Sequence, residues 1–332
     1  MDMSPRPDGL PLPRVRDATE VAIADLVASG IGLQRGFLDE ETRLALLHRV
    51  LEQAQLEREQ GVAEVSPTGT ASEMRFSQEG DGVLPFQAVS FLPNKGRVFI
   101  DVLADTRFAT ISDAVFGGVP WYVAQQTATI VRKGAAGQVI HTDQQAWPFL
   151  TPRPVMFNAV LCLTDFEPDM GSTRFVPQSP GTHPPRIARN ERTGLVGNVD
   201  ALEPQAIALP AGSLAMWDGN VWHGQGASVS SRDRVGIIIT FVMHMVRAQD
   251  DYVAMLHDDV YVSLDDHERR LLGFEVHYEY AGRVSPRNSA DRRSNTNFNY
   301  PFVPELRRGN GARAVPAGSL RIAHPDLQAA RI

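Results

Sequence analysis

Hydrophobic positions along the chain repeat first with the period of helices, then with that of strands. Ile23, Leu26 and Val27 share one helical face after Asp17-Ala18-Thr19-Glu20, which has the form of a capping box, and Gly30 ends the run. Ile31 to Gln34 read as a short strand. A second helix is predicted from Asp39, with Glu40 and Glu41 favourably placed in its first turn and Leu44, Leu47, Leu51 and Ala54 on its apolar face, until Gly61. Residues 63–83 are rich in Ser, Thr, Gly and Glu, which predicts a long loop: a lid, a binding loop or a disordered segment. Helical spacing returns from Arg97 to Phe116 and stops at Gly117-Gly118.

From Trp121 the period becomes that of strands. Trp121–Val131, Val155–Leu163, Ala206–Leu209, Leu214–Trp217 and Val235–Val242 are β-branched or alternating segments divided by Gly and Pro turns. Helices first and strands afterwards, without βαβ alternation, predict a mainly β fold with flanking helices. The best-fitting core is a double-stranded β-helix, a jelly roll of the cupin kind, whose concave mouth can receive side chains from strand ends. The expected organisation is a loose arm over residues 1–16, a helix-decorated jelly-roll domain over 17–245, and a helical then irregular extension over 246–332. In that extension Ser263-Leu264-Asp265-Asp266 caps a short helix that Gly273 ends. The extension is expected to lie over the active site or at a subunit interface of a homodimer.

Composition narrows the possibilities. The chain has 332 residues, of which 43% are hydrophobic, enough for a full core. A formal charge of −7 and the lack of a basic block exclude nucleic acid as the main partner. A single cysteine, Cys162, excludes an internal disulfide and a cysteine zinc cluster, and its apolar flanks predict burial. No signal-type apolar region and no run of about 18 apolar residues appear, so the expected location is the cytoplasm, with no membrane partner.

The chemistry centres on Val139-Ile140-His141-Thr142-Asp143. Residues two apart at a strand end point to one face, so His141 and Asp143 are two of the three ligands that a 2-His-1-carboxylate iron site requires. His-x-Asp/Glu is weak alone: chance supplies roughly one, and the chain has four, with His257-Asp258-Asp259, His277-Tyr278-Glu279 and His324-Pro325-Asp326. Only the first is followed by several strands, by His223 in Trp222-His223-Gly224, and by Arg234 opening an apolar run. A guanidinium entering such a strand needs an anion, and its planar fork suits a small dicarboxylate. Arg232 is the alternative inward residue.

Gln138-x-x-His141-x-Asp143, the apolar strand Phe157–Leu163, Met170-Gly171-Ser172-Thr173-Arg174-Phe175-Val176-Pro177 with Pro180-Gly181-Thr182-His183, then Trp222-His223-Gly224 and Arg234, resemble the phytanoyl-CoA dioxygenase family of Fe(II)/2-oxoglutarate-dependent oxygenases. The similarity spans roughly residues 20–245, and Leu271-Leu272-Gly273 is similar to its natural-product branch, which includes verruculogen synthase and the meroterpenoid oxygenases. The family usually has a compact Pro-Gly-Ser-His, where this chain has Pro177-Gln178-Ser179-Pro180-Gly181-Thr182-His183. The resemblance implies that His141, Asp143 and His223 hold Fe(II), that 2-oxoglutarate is the cosubstrate and that Arg234 grips its far carboxylate. It further implies supporting roles for Gln138, Thr173 and Asn158, and consumption of O2 to oxidise, most simply to hydroxylate, a small-molecule substrate.

For the substrate the reading points to a small, largely apolar metabolite. Phe76, Phe86, Phe91, Trp147, Phe149 and Trp222 are candidates to line its pocket or to be core, with Trp147, Phe149 and Trp222 as the contacts nearest the motifs. Three alternatives stay open: a metal cupin enzyme that needs no 2-oxoglutarate and no Arg234, a non-catalytic cupin-like binding protein, and a metal at His257, Asp259 and His277.

Overall fold

The structure, a computed structural model, describes residues 11–69, 73–146, 151, 153–177 and 204–274. Trp147, Phe149, Pro180 to His183, His277 and the chain beyond Phe274 lie outside the described residues, and with them the expectations placed there.

Eleven strands form two antiparallel sheets. The strands are β1 (Ile31–Gln34), β2 (Glu64–Ser66), β3 (Arg75–Phe76), β4 (Phe86–Val89), β5 (Trp121–Val131), β6 (Met156–Cys162), β7 (Thr173–Phe175), β8 (Gln205–Ala206), β9 (Leu214–Asp218), β10 (His223–Gln225) and β11 (Arg234–Met243). The large sheet runs β1-β9-β6-β11-β5-β4-β2-β3, and the small one β10-β7-β8. Apolar side chains of both sheets meet in one layer: Val160, Cys162, Ala215 and Trp217 from the large sheet against Phe175 from the small one, with Phe166, Ile207 and Leu209 from the connections. This is the double-stranded β-helix core, with the helices packed on its outside.

Alternation along β11 decides what each face holds. Phe241 stacks on Phe157 with ring centroids 4.7 Å apart and meets Phe108 at 5.3 Å, so the odd residues face the helical layer. The even residues Arg234, Ile238 and Thr240 face a cavity between the sheets. A register shift between Thr240 and Phe241 keeps this assignment while β5 inserts one extra residue.

The helices are α1 (Thr19–Ser29), α2 (Glu40–Glu59), α3 (Arg97–Leu103), α4 (Thr106–Phe116), α5 (Tyr252–Met255), α6 (Asp258–Ser263) and α7 (Asp266–Leu271). Asp39 caps α2 as expected, accepting from the Thr42 amide at 2.7 Å. Asp265 and Glu268 form a complete capping box on α7. Gln87 ties α2 to the sheet: its Nε2 donates to the Ala54 carbonyl at 2.8 Å, and Arg58 donates to its Oε1.

Several expectations fail locally. Asp17 does not cap α1: the N-cap is Ala18, and Asp17 pairs with Arg35. The buried face of α1 is Ala22, Ile23 and Leu26, with Val27 exposed, and that of α2 is Leu46, Val50, Ala54 and Glu57, with Leu51 exposed. The single helix expected from Arg97 to Phe116 is two, broken at Ala104-Asp105, where Asp105 accepts from the Arg107 amide and starts α4. Within residues 63–83, Glu64–Ser66 and Arg75–Phe76 extend the large sheet beyond β4 by two short strands, β3 forming its edge, in place of a lid. Arg16, at the end of the arm, is pinned: its amide donates to the Leu33 carbonyl at 2.9 Å and its guanidinium pairs with Asp25.

Candidate active site

His141 and His223 reach each other through a backbone pair. Each amide donates to the other's carbonyl, at 2.8 and 2.9 Å, forming an isolated antiparallel bridge at the start of β10. Directly opposed residues in such a pair project to one face, and the two imidazole centroids are 4.5 Å apart. In each ring Nδ1 sits beside the carbonyl two residues earlier, Val139 at 2.9 Å for His141 and Val221 at 3.0 Å for His223. A carbonyl only accepts, so Nδ1 carries the proton and Nε2 offers its lone pair to the cavity. Burial pushes the His223 pKa down, with Asp143 opposing and His141 adding to it, which keeps that ring neutral.

Asp143 completes the group. Its Oδ1 is 3.7 Å from His141 Nε2 and its Oδ2 is 3.4 Å from His223 Nε2. One ligand atom from each of the three residues falls within 4.8 Å of the others, and no other such group of three occurs among the described residues. The strand-end argument needs correction: His141 is bridged only to His223, and Asp143 already begins a 3-10 turn, Asp143–Ala146. Gln144 fixes that turn. Its Nε2 donates to Thr151 and Asn220, its Oε1 accepts from the Val155 amide, and its own amide donates to the Gly219 carbonyl. Gly219 must be glycine, because a Cβ there would lie 2.4 Å from Met156 Cγ and 2.8 Å from Gln144 Cγ.

Arg234 lies at the far end of the same cavity, which holds about 290 Å3. It is 5% exposed, and its Nη2 donates to Gln225 Oε1 at 3.2 Å. The Phe166 ring lies under the guanidinium, 4.8 Å from centroid to carbon. Its Nε has no hydrogen-bond partner and no carboxylate is within ion-pair distance among the described residues. Burial accordingly lowers its pKa to about 10. A charge so placed calls for an anion, and none of the described residues supplies one. Arg232 instead faces outward, 59% exposed beside Asp165.

Asn158, Gln138 and Thr173 all border this cavity. Asn158 donates from Nδ2 to Asp143 Oδ2 at 2.6 Å. Gln138 lines the cavity, and its Oε1 accepts from the Gln225 amide at 3.0 Å, while Thr173 lines the cavity from β7. Phe86 also lines it, whereas Phe76 is exposed and Phe91 packs on Tyr252. Trp222 does not line the cavity: it is buried with Ile140 and Val176. Among the described residues the tryptophan that lines the site is Trp217, whose Nε1 donates to Asp143 Oδ2 at 3.0 Å. Sequence reasoning missed Trp217, Thr240, Gln225 and Phe166; for Thr240 the available signal was its even position with Arg234 along one strand. Of the residues of the other candidate metal set, His257 and Asp259 are exposed and His277 lies outside the described residues. A larger cleft of about 480 Å3, between the ends of α1 and α4, contains Asp218 and Arg153 but none of the three clustered ligands.

The profile of the phytanoyl-CoA dioxygenase (PhyH) family matches residues 35–236, well over half of the chain. The chain belongs to the phytanoyl-CoA dioxygenase family. Among relatives, an uncharacterized protein of Mycobacterium tuberculosis, Rv1501, is 32% identical over 117 residues, 35% of this chain and 40% of its own length. Dioxygenase ALT11 of Alternaria alternata is 26% identical over 199 residues, 56% of this chain and 62% of its own. The match thus spans less than two thirds of these relatives. Among solved structures, SnoK, a non-heme α-ketoglutarate-dependent carbocyclase from nogalamycin biosynthesis, aligns with a TM-score of 0.54 at 16% identity over 72% of this chain and 91% of its own. The epimerase SnoN of the same biosynthesis gives 0.52 at 17% identity over 68% and 84%. These likenesses establish the fold of this PhyH-family chain. Among its described residues no helix is long and apolar enough to cross a membrane.

Proposed function

We propose that this PhyH-family protein is an Fe(II)/2-oxoglutarate-dependent dioxygenase that hydroxylates a small metabolite, in natural-product biosynthesis, within a catalytic domain over residues 17–245. The observation that carries this reading is the presence, in one cavity, of the His141–Asp143–His223 cluster and a buried arginine without an anionic partner among the described residues. Two neutral imidazoles and one carboxylate fit Fe(II) and leave one face of the ion open. One carboxylate against a divalent ion, together with the Arg234 guanidinium, leaves two positive charges, which a dianionic oxo acid balances.

The residues divide the tasks. His141, Asp143 and His223 would hold the iron, and Arg234, backed by Gln225 and Phe166, would bind the far carboxylate of 2-oxoglutarate. Val160 and Ile238, between these ends, would flank its methylene groups and exclude water. When bound, Fe(II) would supply the redox chemistry that couples cleavage of O2 to loss of the oxo acid's C1 as CO2, one oxygen atom ending in the new carboxylate of succinate and the other in the hydroxylated product. Gln125, Thr129 and Gln138 share the lining with Phe86, Val160, Ile238 and Trp217, which supports a substrate that carries hydrogen-bonding groups beside its apolar surface.

The natural-product role is supported by the likeness to SnoK and SnoN, enzymes of nogalamycin biosynthesis, and by the similarity to dioxygenase ALT11 of Alternaria alternata. The direct test is O2-dependent release of succinate from 2-oxoglutarate with Fe(II), measured across a metabolite panel. Turnover that survives Arg234→Ala would favour a metal cupin enzyme without an oxo acid, and absence of divalent metal uptake would favour a binding protein.

A further inference from the structure

We propose that Thr240, acting through Asn158, and Trp217 together commit Asp143 to bind the metal through Oδ1 alone. The inference rests on the iron reading above and concerns residues that hold the ligand, not residues that touch the substrate.

Asp143 Oδ2 receives two hydrogen bonds, from Asn158 Nδ2 at 2.6 Å and Trp217 Nε1 at 3.0 Å. A carboxylate oxygen has about two lone-pair positions, so both are taken. Oδ1 accepts no hydrogen bond among the described residues. A carboxamide can present either its oxygen or its nitrogen, and the oxygen would repel Oδ2. Thr240 removes that choice: its hydroxyl donates to Asn158 Oδ1 at 2.5 Å, which turns the amide nitrogen toward Asp143. Thr240 is 1% exposed and Asn158 4%, so water does not compete for these groups.

Strand register sets the arrangement. Thr240 is opposite Asn158 on the neighbouring strand, and Asn158 is opposite Trp217 on the next. The three form one transverse row of the large sheet, with side chains on the cavity face. The histidines belong to the other side of the cavity, where β10 pairs with the segment carrying His141. The row therefore ties the one anionic ligand to three adjacent strands of the large sheet, β9, β6 and β11. Ligation through both oxygens would occupy a position that a chelating oxo acid and O2 need, and the row prevents it.

The test is Mn(II) affinity of the purified protein, measured by equilibrium dialysis without O2, which requires no turnover. Asn158→Leu and Trp217→Phe are each expected to weaken binding by about ten-fold or more, the usual effect of losing a group that orients a ligand. Thr240→Val should weaken binding in the wild-type background and add nothing in Asn158→Leu, because it acts through Asn158. Thr240→Ser should restore affinity. The visible absorption of bound Co(II), which reports coordination geometry, should change in Thr240→Val and return in Thr240→Ser. Independent losses in the Thr240→Val/Asn158→Leu double variant, or wild-type affinity and Co(II) spectrum throughout, would overturn the proposal while leaving the iron reading intact. A wild-type protein that binds neither Mn(II) nor Co(II) would overturn both.

Discussion

The two ends of the cavity are opposites in how far they are finished. At the His141–Asp143–His223 end, both Nδ1 atoms and Asp143 Oδ2 already have protein partners, and only the atoms facing the cavity are open. At the Arg234 end a buried guanidinium has one neutral partner, an aromatic ring and no carboxylate among the described residues. The first end is preorganised and loses little by waiting. The second carries a desolvation cost until an anion arrives, so it is where binding selectivity and instability both concentrate.

The largest expected effect separates the ends outright. His223→Ala or Asp143→Ala should abolish divalent metal binding and turnover, whereas Arg234→Ala should leave metal affinity in dialysis unchanged. If Arg234→Ala also lost the metal, the two ends would not be independent.

Next comes the arginine itself. Arg234→Met should weaken 2-oxoglutarate binding by about 30-fold or more, the effect of about 2 kcal/mol or more expected when one partner of a buried charge pair is removed. The same variant should melt at a higher temperature than wild type when no oxo acid is present, since an unpaired buried charge has been replaced by an apolar side chain. Added 2-oxoglutarate with Mn(II) should raise the melting temperature of wild type and not of the variant.

Smaller effects follow from close approach. A Cβ at position 236 would lie 2.7 Å from Phe166 Cζ, and one at 219 would lie 2.4 Å from Met156 Cγ. Gly236→Ala and Gly219→Ala should each cost about 1–3 kcal/mol in denaturant unfolding, as overpacking does. They should diverge in function: Gly236→Ala shifts Phe166 and reduces oxo-acid affinity, while Gly219→Ala disturbs the turn bearing Asp143 and reduces metal affinity.

The smallest effect on ligand binding lies outside the cavity and serves as a control. Burial raises the Asp218 carboxyl to about 6. The folded protein therefore binds a proton that the unfolded chain has released, and stability falls as pH rises from the ordinary carboxylate range through about pH 6. Asp218→Asn should flatten this slope, by up to about 3 kcal/mol, with no change in metal or oxo-acid affinity.

The same contrast explains what could be read from the sequence. β5 and β11 were legible because long β-branched runs between glycine and proline turns have few other solutions, whereas Arg232, which alternation alone would put on the same face as Arg234, points outward because it lies in the bend before β11 begins. His141, Asp143 and His223 were legible because metal chemistry restricts residue type so strongly. Trp217 was not, because β9 is buried on both faces: with no polar alternation, nothing marks which residue faces the cavity. Trp222, next to His223, looked the better candidate and is core. The strands within residues 63–83 are three and two residues long and exist through pairing, β2 with β4 and β3 with β2, a tertiary fact that local composition does not carry. The buried faces of α1 and α2 were shifted for a similar reason, since alanine and valine suit either face of a helix until a neighbour chooses.

The central claim, that metal and oxo acid share one cavity, is tested most directly by titrating 2-oxoglutarate into the O2-free protein with and without Mn(II), for wild type and Arg234→Met. The account predicts tight binding only to wild type with metal present, and weak binding when either the metal or the guanidinium is missing. Equal affinity with and without metal, or in wild type and variant alike, would contradict it.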